Sequence, residues 1–233
     1  MLKPHLGKYW KIPPDESGEF VARMEDVLDV YHRPYSAEFP VVCMDESGRQ
    51  LAGEVTRPMG MSPSHPRLVD DECVRNGAVE MFAEMEPLTG RQHIRVTDTR
   101  TMRDWAESVR EMLDKRYPAS RKVVLVMDNL NTHSIGSLYE AFPPAAAERP
   151  AERLEIHCTP RHGGWLNIAE IELSALKLQC LSRRIPTKEK MKEEVAAWLA
   201  DRNATRRKID WQFTTAEARI KLKRLYPVIE AHD

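Results

Sequence analysis

The run Val123-Val124-Leu125-Val126-Met127 constrains this chain more than any other stretch. Five consecutive apolar residues with no polar face predict a short strand inside a sheet covered on both sides. The run closes on Asp128. A second apolar run, Val41-Val42-Cys43-Met44, closes on Asp45. A carboxylate beside a buried strand is costly unless it is paired or bound to a metal. A third acid, Glu170, stands at the mouth of a helical pattern carried by Ala169, Leu173, Leu176 and Cys180. Two strands and a helix each delivering a carboxylate would form a cage of hard oxygen ligands suited to Mg²⁺. Such cages support two-metal phosphoryl transfer.

With 233 residues, 42% hydrophobic and 30% charged, the chain can bury one sizeable core and a small appendage. No apolar stretch approaches the ~20 residues that span a bilayer, so no membrane association is expected. Met1 to Trp10 has no apolar core of a signal peptide. Cys43, Cys73, Cys158 and Cys180 are scattered without a C-x-x-C pair, which argues against structural zinc and for a reducing, cytoplasmic setting. The formal net charge is only −1, but from Arg153 to Tyr226 there are 16 Lys or Arg against 9 Asp or Glu. This asymmetry points to a half that faces a polyanion, with solvated helix faces as the plainer reading.

The first 40 residues are rich in proline and polar groups, and Phe20, Met24, Val27, Leu28 and Tyr31 predict a helix capped by Ser17 or Asp15. Val41–Asp45 reads as a strand, Ser47-Gly48 as a turn and Gln50–Arg57 as a second strand in a hairpin with the first. Residues 58–76 read as an irregular loop, Ala78–Glu86 as a third strand and His93–Thr97 as a fourth. A helix from about Thr101 to Arg116 follows, with Thr101 and Asp104 as a capping box. Beyond the strand that ends at Asp128 come a loop, a short helix from Ser134 to Phe142, a Pro- and Ala-rich connector at 143–152 and a buried strand at Leu154–Cys158. The remainder is helical and basic. This order predicts an α/β fold with a mixed sheet.

Each acid has a structural alternative. Asp45 suits a turn, Asp128 suits an N-cap or Asx-turn, and Asn167 with Glu170 suits a capping box. Glu172 cannot share a site with Glu170, since two residues along a helix are about 200° of rotation. Trp165 is either core packing or a platform for a frayed base. His133 and His162 are either ordinary loop residues or groups that position a phosphate. Arg161, Arg183, Arg184, Lys188, Arg206, Arg207 and Lys208 are the candidate phosphate contacts.

Three segments carry a resemblance: Val41-Val42-Cys43-Met44-Asp45-Glu46, Val126-Met127-Asp128-Asn129-Leu130-Asn131-Thr132-His133, and 159–172 with its Leu166-Asn167-Ile168-Ala169-Glu170 core. They resemble the catalytic blocks of DDE transposases, in particular bacterial insertion-sequence transposases related to mariner elements. Arg75-Asn76-Gly77, Val96-Thr97-Asp98 and the ending from Phe213 to Pro227 are also similar to this family. The resemblance implies a ribonuclease-H-like mixed five-stranded sheet flanked by helices, with Asp45, Asp128 and Glu170 as catalytic residues and ligands of two Mg²⁺ or Mn²⁺ ions. It implies DNA partners (transposon ends and target), a homodimer on DNA, and a DNA-facing set of Arg161, His162, Trp165, Asn167, Arg183, Arg184, Arg206 and Arg207.

The division it suggests is an N-terminal linker and helix at 1–40, a catalytic domain at 41–182 and a basic helical extension at 183–233. Family members carry a helix-turn-helix region ahead of the catalytic domain. Lys3-Pro4-His5-Leu6-Gly7 looks like its tail, and the 143–152 connector like a surface insertion. A catalytically silent DNA-binding remnant and another nuclease of the same fold are the alternatives.

Overall fold

The computed structural model describes residues 16–66, 68, 70–130 and 133–228. The Lys3–Gly7 segment, the candidate cap Asp15, and Asn131 and Thr132 of the second block lie outside the described residues. The apolar run forms β4 (Val123–Met127), buried along its whole length. It runs parallel both to β1 (Val41–Glu54) and to β5 (Leu154–Cys158). On its other edge β1 pairs antiparallel with β2 (Cys73–Glu86), which pairs antiparallel with β3 (Arg91–Thr97). The five strands therefore lie in the order β3-β2-β1-β4-β5.

Strand alternation sorts the core into two faces. Val42, Met44, Val123, Leu125 and Met127 pack with α2 (Met102–Glu111), the π-helical turn Met112–Arg116, α3 (Ile135–Ala141) and α4 (Pro144–Glu152). Trp105 is the largest side chain there and is fully buried. Cys43, Val124 and Val126 meet α1 (Gly18–Tyr31) and the start of α5 (Ile168–Gln179) on the other face. Farther along that face, Leu51, Val79 and Met81 pack under α5 and α6 (Lys188–Thr205). Each such aliphatic side chain contributes on the order of 1.5–3 kcal/mol by leaving water. Ser17 caps α1 by accepting from Phe20 N, and Thr101 with Asp104 forms the predicted capping box of α2. The last helix, α7 (Thr215–Lys221), is closed by a Thr214–Glu217 capping box and buries Ala218 against the α1 cluster.

Three expectations change. Ser47-Gly48 is not a turn: β1 continues through it, with Ser47 opposite Met81 and Gly48 opposite Glu80. The Glu80 carboxylate lies where a Cβ on Gly48 would be, 2.9 Å away, so the glycine serves a close approach between strands. Pairing along β2 overrides the local turn preference of Asp45-Glu46-Ser47-Gly48. β2 correspondingly begins at Cys73 rather than Ala78, and the register shifts between Gln50 and Ala52, beside Gly77 at φ +94°. That is a β-bulge whose left-handed position suits glycine. The 143–152 connector is the helix α4, with Pro144 in its first turn and Ala147 fully buried against the sheet, so it is part of the core.

Candidate active site at the carboxyl edge of the sheet

Parallel pairing sets Cys43 opposite Val126. Two residues further on, Asp45 and Asp128 are level at the end of β4. Asp45 shares its face of β1 with Cys43, the face that carries α5, and Glu170 sits in the first turn of that helix. The three carboxylates feel one another. Burial raises the Asp45 carboxyl to about 7, and the charges of Asp128, Glu170 and Glu46 add to that effect against one hydrogen bond from the Glu46 N–H (2.8 Å). Burial and the Asp128 charge raise Glu170 as well. Asp128 Oδ1 is buried without a hydrogen-bond partner.

The start of α5 is fixed from several directions. Asn167 is buried; its Nδ2 donates to Met44 O (2.9 Å), the residue before Asp45, and its Oδ1 accepts from Ala169 N (3.1 Å). Tyr31 on α1 donates its hydroxyl to Leu166 O (2.6 Å). Thus the Asn167 amide ties the helix that carries Glu170 to the strand that carries Asp45. Its polar atoms are committed inside the protein rather than at a DNA surface. The reciprocal half of a capping box does not form, so the Glu170 carboxylate is left for the site. That carboxylate lies against the Cα of Gly164, in the space a side chain there would fill. Glu172 points elsewhere, buried against Arg202 and Gln92.

Glu46, one residue after Asp45, points to the opposite face of the sheet. Its buried carboxylate Oε1 lies 2.8 Å from Nε2 of His133, close but without hydrogen-bond alignment. Nδ1 of the same ring lies 3.8 Å from Asp128 Oδ1, and the ring stacks on Trp105 with centroids 5.7 Å apart. Burial alone would depress this imidazole, but Asp128 and Glu46 push it up to about 9. One ligand atom from each of Glu46, Asp128 and His133 falls within 4.8 Å of the others. Sequence reasoning named His133 but missed Glu46. The turn read at Ser47 hid the strand alternation that reveals it.

Arg161 and His162 are exposed in the loop before α5, His162 with a left-handed φ of 66°, and neither has an ion-pair partner among the described residues. Trp165 packs its ring against Phe213, with centroids 6.1 Å apart. Arg183 pairs with Glu194. Arg184 pairs with Glu54 and donates to the carbonyls of Asp70 (2.7 Å) and Asp71 (3.0 Å), tying down the β1–β2 loop. Lys188 pairs with Asp98. Arg206 and Arg207 pass over Gly90 in the β2–β3 turn, and Lys208 follows them. Ala83 on β2 is opposite Asp45, and β2 runs away from the site from there to its turn. Those two arginines therefore lie at the other end of the sheet from the carboxylates.

The sequence pattern of the DDE superfamily endonucleases matches residues 40–192. The chain belongs to this family. No curated protein matches the chain in sequence. Three solved complexes of the Mos1 mariner transposase are similar in fold to this DDE endonuclease. The paired-end complex with Mg superposes at a TM-score of 0.54, with 15% identity over 96% of this chain and 69% of that one. The corresponding complex with Mn gives 0.52, with 14% identity over 95% and 64%. A paired-end complex with the left transposon end gives 0.53, with 16% identity over 88% and 65%. The DDE chain described here thus spans about two thirds of the Mos1 chains. Its sheet and flanking helices form the ribonuclease-H-like fold. Among its described residues no helix is long and apolar enough to cross a membrane.

The residues present fit a divalent cation. Asp45, Asp128 and Glu170 offer only hard oxygen donors, carry no Lys or Arg ion pair among the described residues, and include a buried oxygen without a hydrogen-bond donor.

Proposed function

We propose that this chain is a transposase catalytic domain that cuts and joins DNA at the ends of a mariner-related bacterial insertion sequence. Asp45, Asp128 and Glu170 hold two Mg²⁺ or Mn²⁺ ions. The observation that carries this reading is the gathering of three carboxylates at the carboxyl edge of the sheet, where burial, reinforced by the charges of Asp128 and Glu170, raises Asp45 to about 7. Membership of the DDE endonucleases supports it. Metal ions held there would supply Lewis-acid activation of the attacking water or DNA 3′-OH and would stabilise the leaving 3′ oxygen. The chain's own residues position: Asp45 and Asp128 from two adjacent parallel strands, Glu170 from the exposed rim where it orients the attacking water.

Arg161 and His162 flank that rim and contact phosphate. Arg183 and Arg184, already paired, contribute field rather than direct contacts. Arg206 and Arg207 form a separate basic patch for DNA leaving the site. The catalytic unit is 41–182, extended by the basic helices of 183–233 and by a helix within 1–40. It acts as a homodimer on paired DNA ends, in the cytoplasm, in keeping with four unpaired cysteines.

Nicking of supercoiled plasmid by the purified chain tests the reading. Cleavage with Mg²⁺ or Mn²⁺ that disappears in EDTA and in Asp128→Asn is the expected result, with DNA affinity in the variant unchanged or higher because one negative charge is gone. Cleavage that persists in Asp128→Asn contradicts it.

A further inference from the structure

We propose that Glu46 is a positioning residue of this site: through the His133 ring it fixes the Asp128 carboxylate from the face of the sheet opposite to Asp45. The inference rests on the proposed metal-binding role of Asp128. Asp128 follows the last residue of β4, where no further strand pairing holds its side chain. Its Oδ1 lacks a hydrogen bond and has the His133 Nδ1 as its neighbour at 3.8 Å. His133 is 4% exposed and held by three contacts: Glu46 Oε1 at 2.8 Å, the Trp105 face, and its own N–H donating to Leu130 O (3.0 Å). The Leu130 N–H donates in turn to Asp128 O (3.0 Å), so the loop after β4 is folded back onto the acid.

The Glu46 side chain is 2% exposed, and a buried carboxylate needs a compensating partner. His133 is that partner. With a carboxylate beside each ring nitrogen, the imidazole bridges two acids rather than offering a free metal ligand. The result is a chain Glu46–His133–Asp128 that reaches through the sheet edge. Outer partners of this kind orient a ligating group, and their loss costs about 10–100-fold in metal affinity. In this way adjacent residues of one strand serve one centre from its two faces, Asp45 directly and Glu46 through the ring.

Calorimetric titration of the metal-free chain with Mn²⁺, alongside its melting temperature in EDTA, tests this. Glu46→Gln, close in shape and able to stay folded beside His133, is expected to weaken Mn²⁺ binding about 10-fold or more. Glu46→Asp keeps the charge but withdraws the carboxylate from the ring, and is expected to weaken binding too. The double variant Glu46→Gln/His133→Gln is expected to bind no worse than His133→Gln alone, because both act along one path.

Full Mn²⁺ affinity in Glu46→Gln, full restoration by Glu46→Asp, or strictly additive losses would each overturn the proposal. If Glu46→Gln lowers the melting temperature in EDTA, the double variant, which places two neutral amides at the pair, supplies the comparison. Asp128→Asn separates the two readings. Lost Mn²⁺ binding in Asp128→Asn with normal binding in Glu46→Gln defeats only the positioning role. Normal binding in both defeats the metal site itself.

Discussion

Two sets of carboxylates in this protein differ in their partners. Glu84, near the end of β2, receives a two-pronged bond from Arg116, with Nε and Nη2 each at 2.7 Å from one oxygen. Glu172, on the buried side of α5, is met by Arg202 and by the Gln92 amide (2.8 Å). Asp45, Asp128 and Glu170 have no arginine or lysine pair among the described residues. They gather at the end of β4 instead, where the charges of Asp128 and Glu170 add to the burial that raises Asp45. At Glu84 and Glu172 the chain supplies a guanidinium. Where three acids meet at the sheet's carboxyl edge, it leaves the charge open, which is the condition for binding a divalent cation. Like charges gathered without a cation disfavour one another, whereas Glu84 and Glu172 each face a guanidinium.

The comparison breaks most visibly by removing an arginine from the balanced group. Arg202→Met leaves Glu172 buried and unpaired and removes the guanidinium from the Trp198 face (5.3 Å). A loss of about 3–5 kcal/mol in denaturant unfolding is expected, most of it recovered when Glu172→Leu is added. In the open group the same kind of perturbation should fall on activity and spare the fold. Gly164→Ala places a methyl where the Glu170 carboxylate now lies. The flexible Glu170 side chain yields, so the melting temperature stays close to the parent while metal-dependent cleavage falls by as much as about 100-fold.

The smallest effect belongs to His93, half-buried on β3. Burial and the neighbouring Arg116 push its imidazole down to about 4. The folded protein therefore refuses a proton that the unfolded chain accepts near pH 6.5. The stability held by the neutral ring is present above pH about 6.5 and lost as pH falls toward 4. Melting curves at pH 7 and 4.5 should show a smaller decline for His93→Gln than for the parent.

Much of this contrast could be read from residue order. The run at 123–127 specified a covered parallel strand, and the positions of Asp128 and Glu170 at element boundaries followed from hydrophobic periodicity alone. Less legible was the length of β1: Asp45-Glu46-Ser47-Gly48 carries local turn chemistry, and only pairing with β2, some thirty residues later, shows Gly48 as extended. That one misreading also concealed Glu46, whose direction depends on the strand continuing. The basic C-terminal half was less legible for another reason. Its charge excess was visible, but three of the candidate phosphate contacts there, Arg183, Arg184 and Lys188, are paired with acids, Arg184 with the sequence-distant Glu54. The connector at 143–152 shows the same limit, since nothing local reveals that Ala147 faces the sheet.

The most direct test of the central contrast is the melting temperature of Asp45→Asn beside the parent, in EDTA and in saturating Mn²⁺. Asparagine keeps the oxygen that accepts from the Glu46 N–H and removes one of the crowding charges. If the three acids form a cation site, the variant melts at or above the parent in EDTA and loses the stabilisation that Mn²⁺ gives the parent. A variant that melts below the parent in EDTA and still gains the full Mn²⁺ shift would show Asp45 to be a structural acid like Glu172, and would contradict the account.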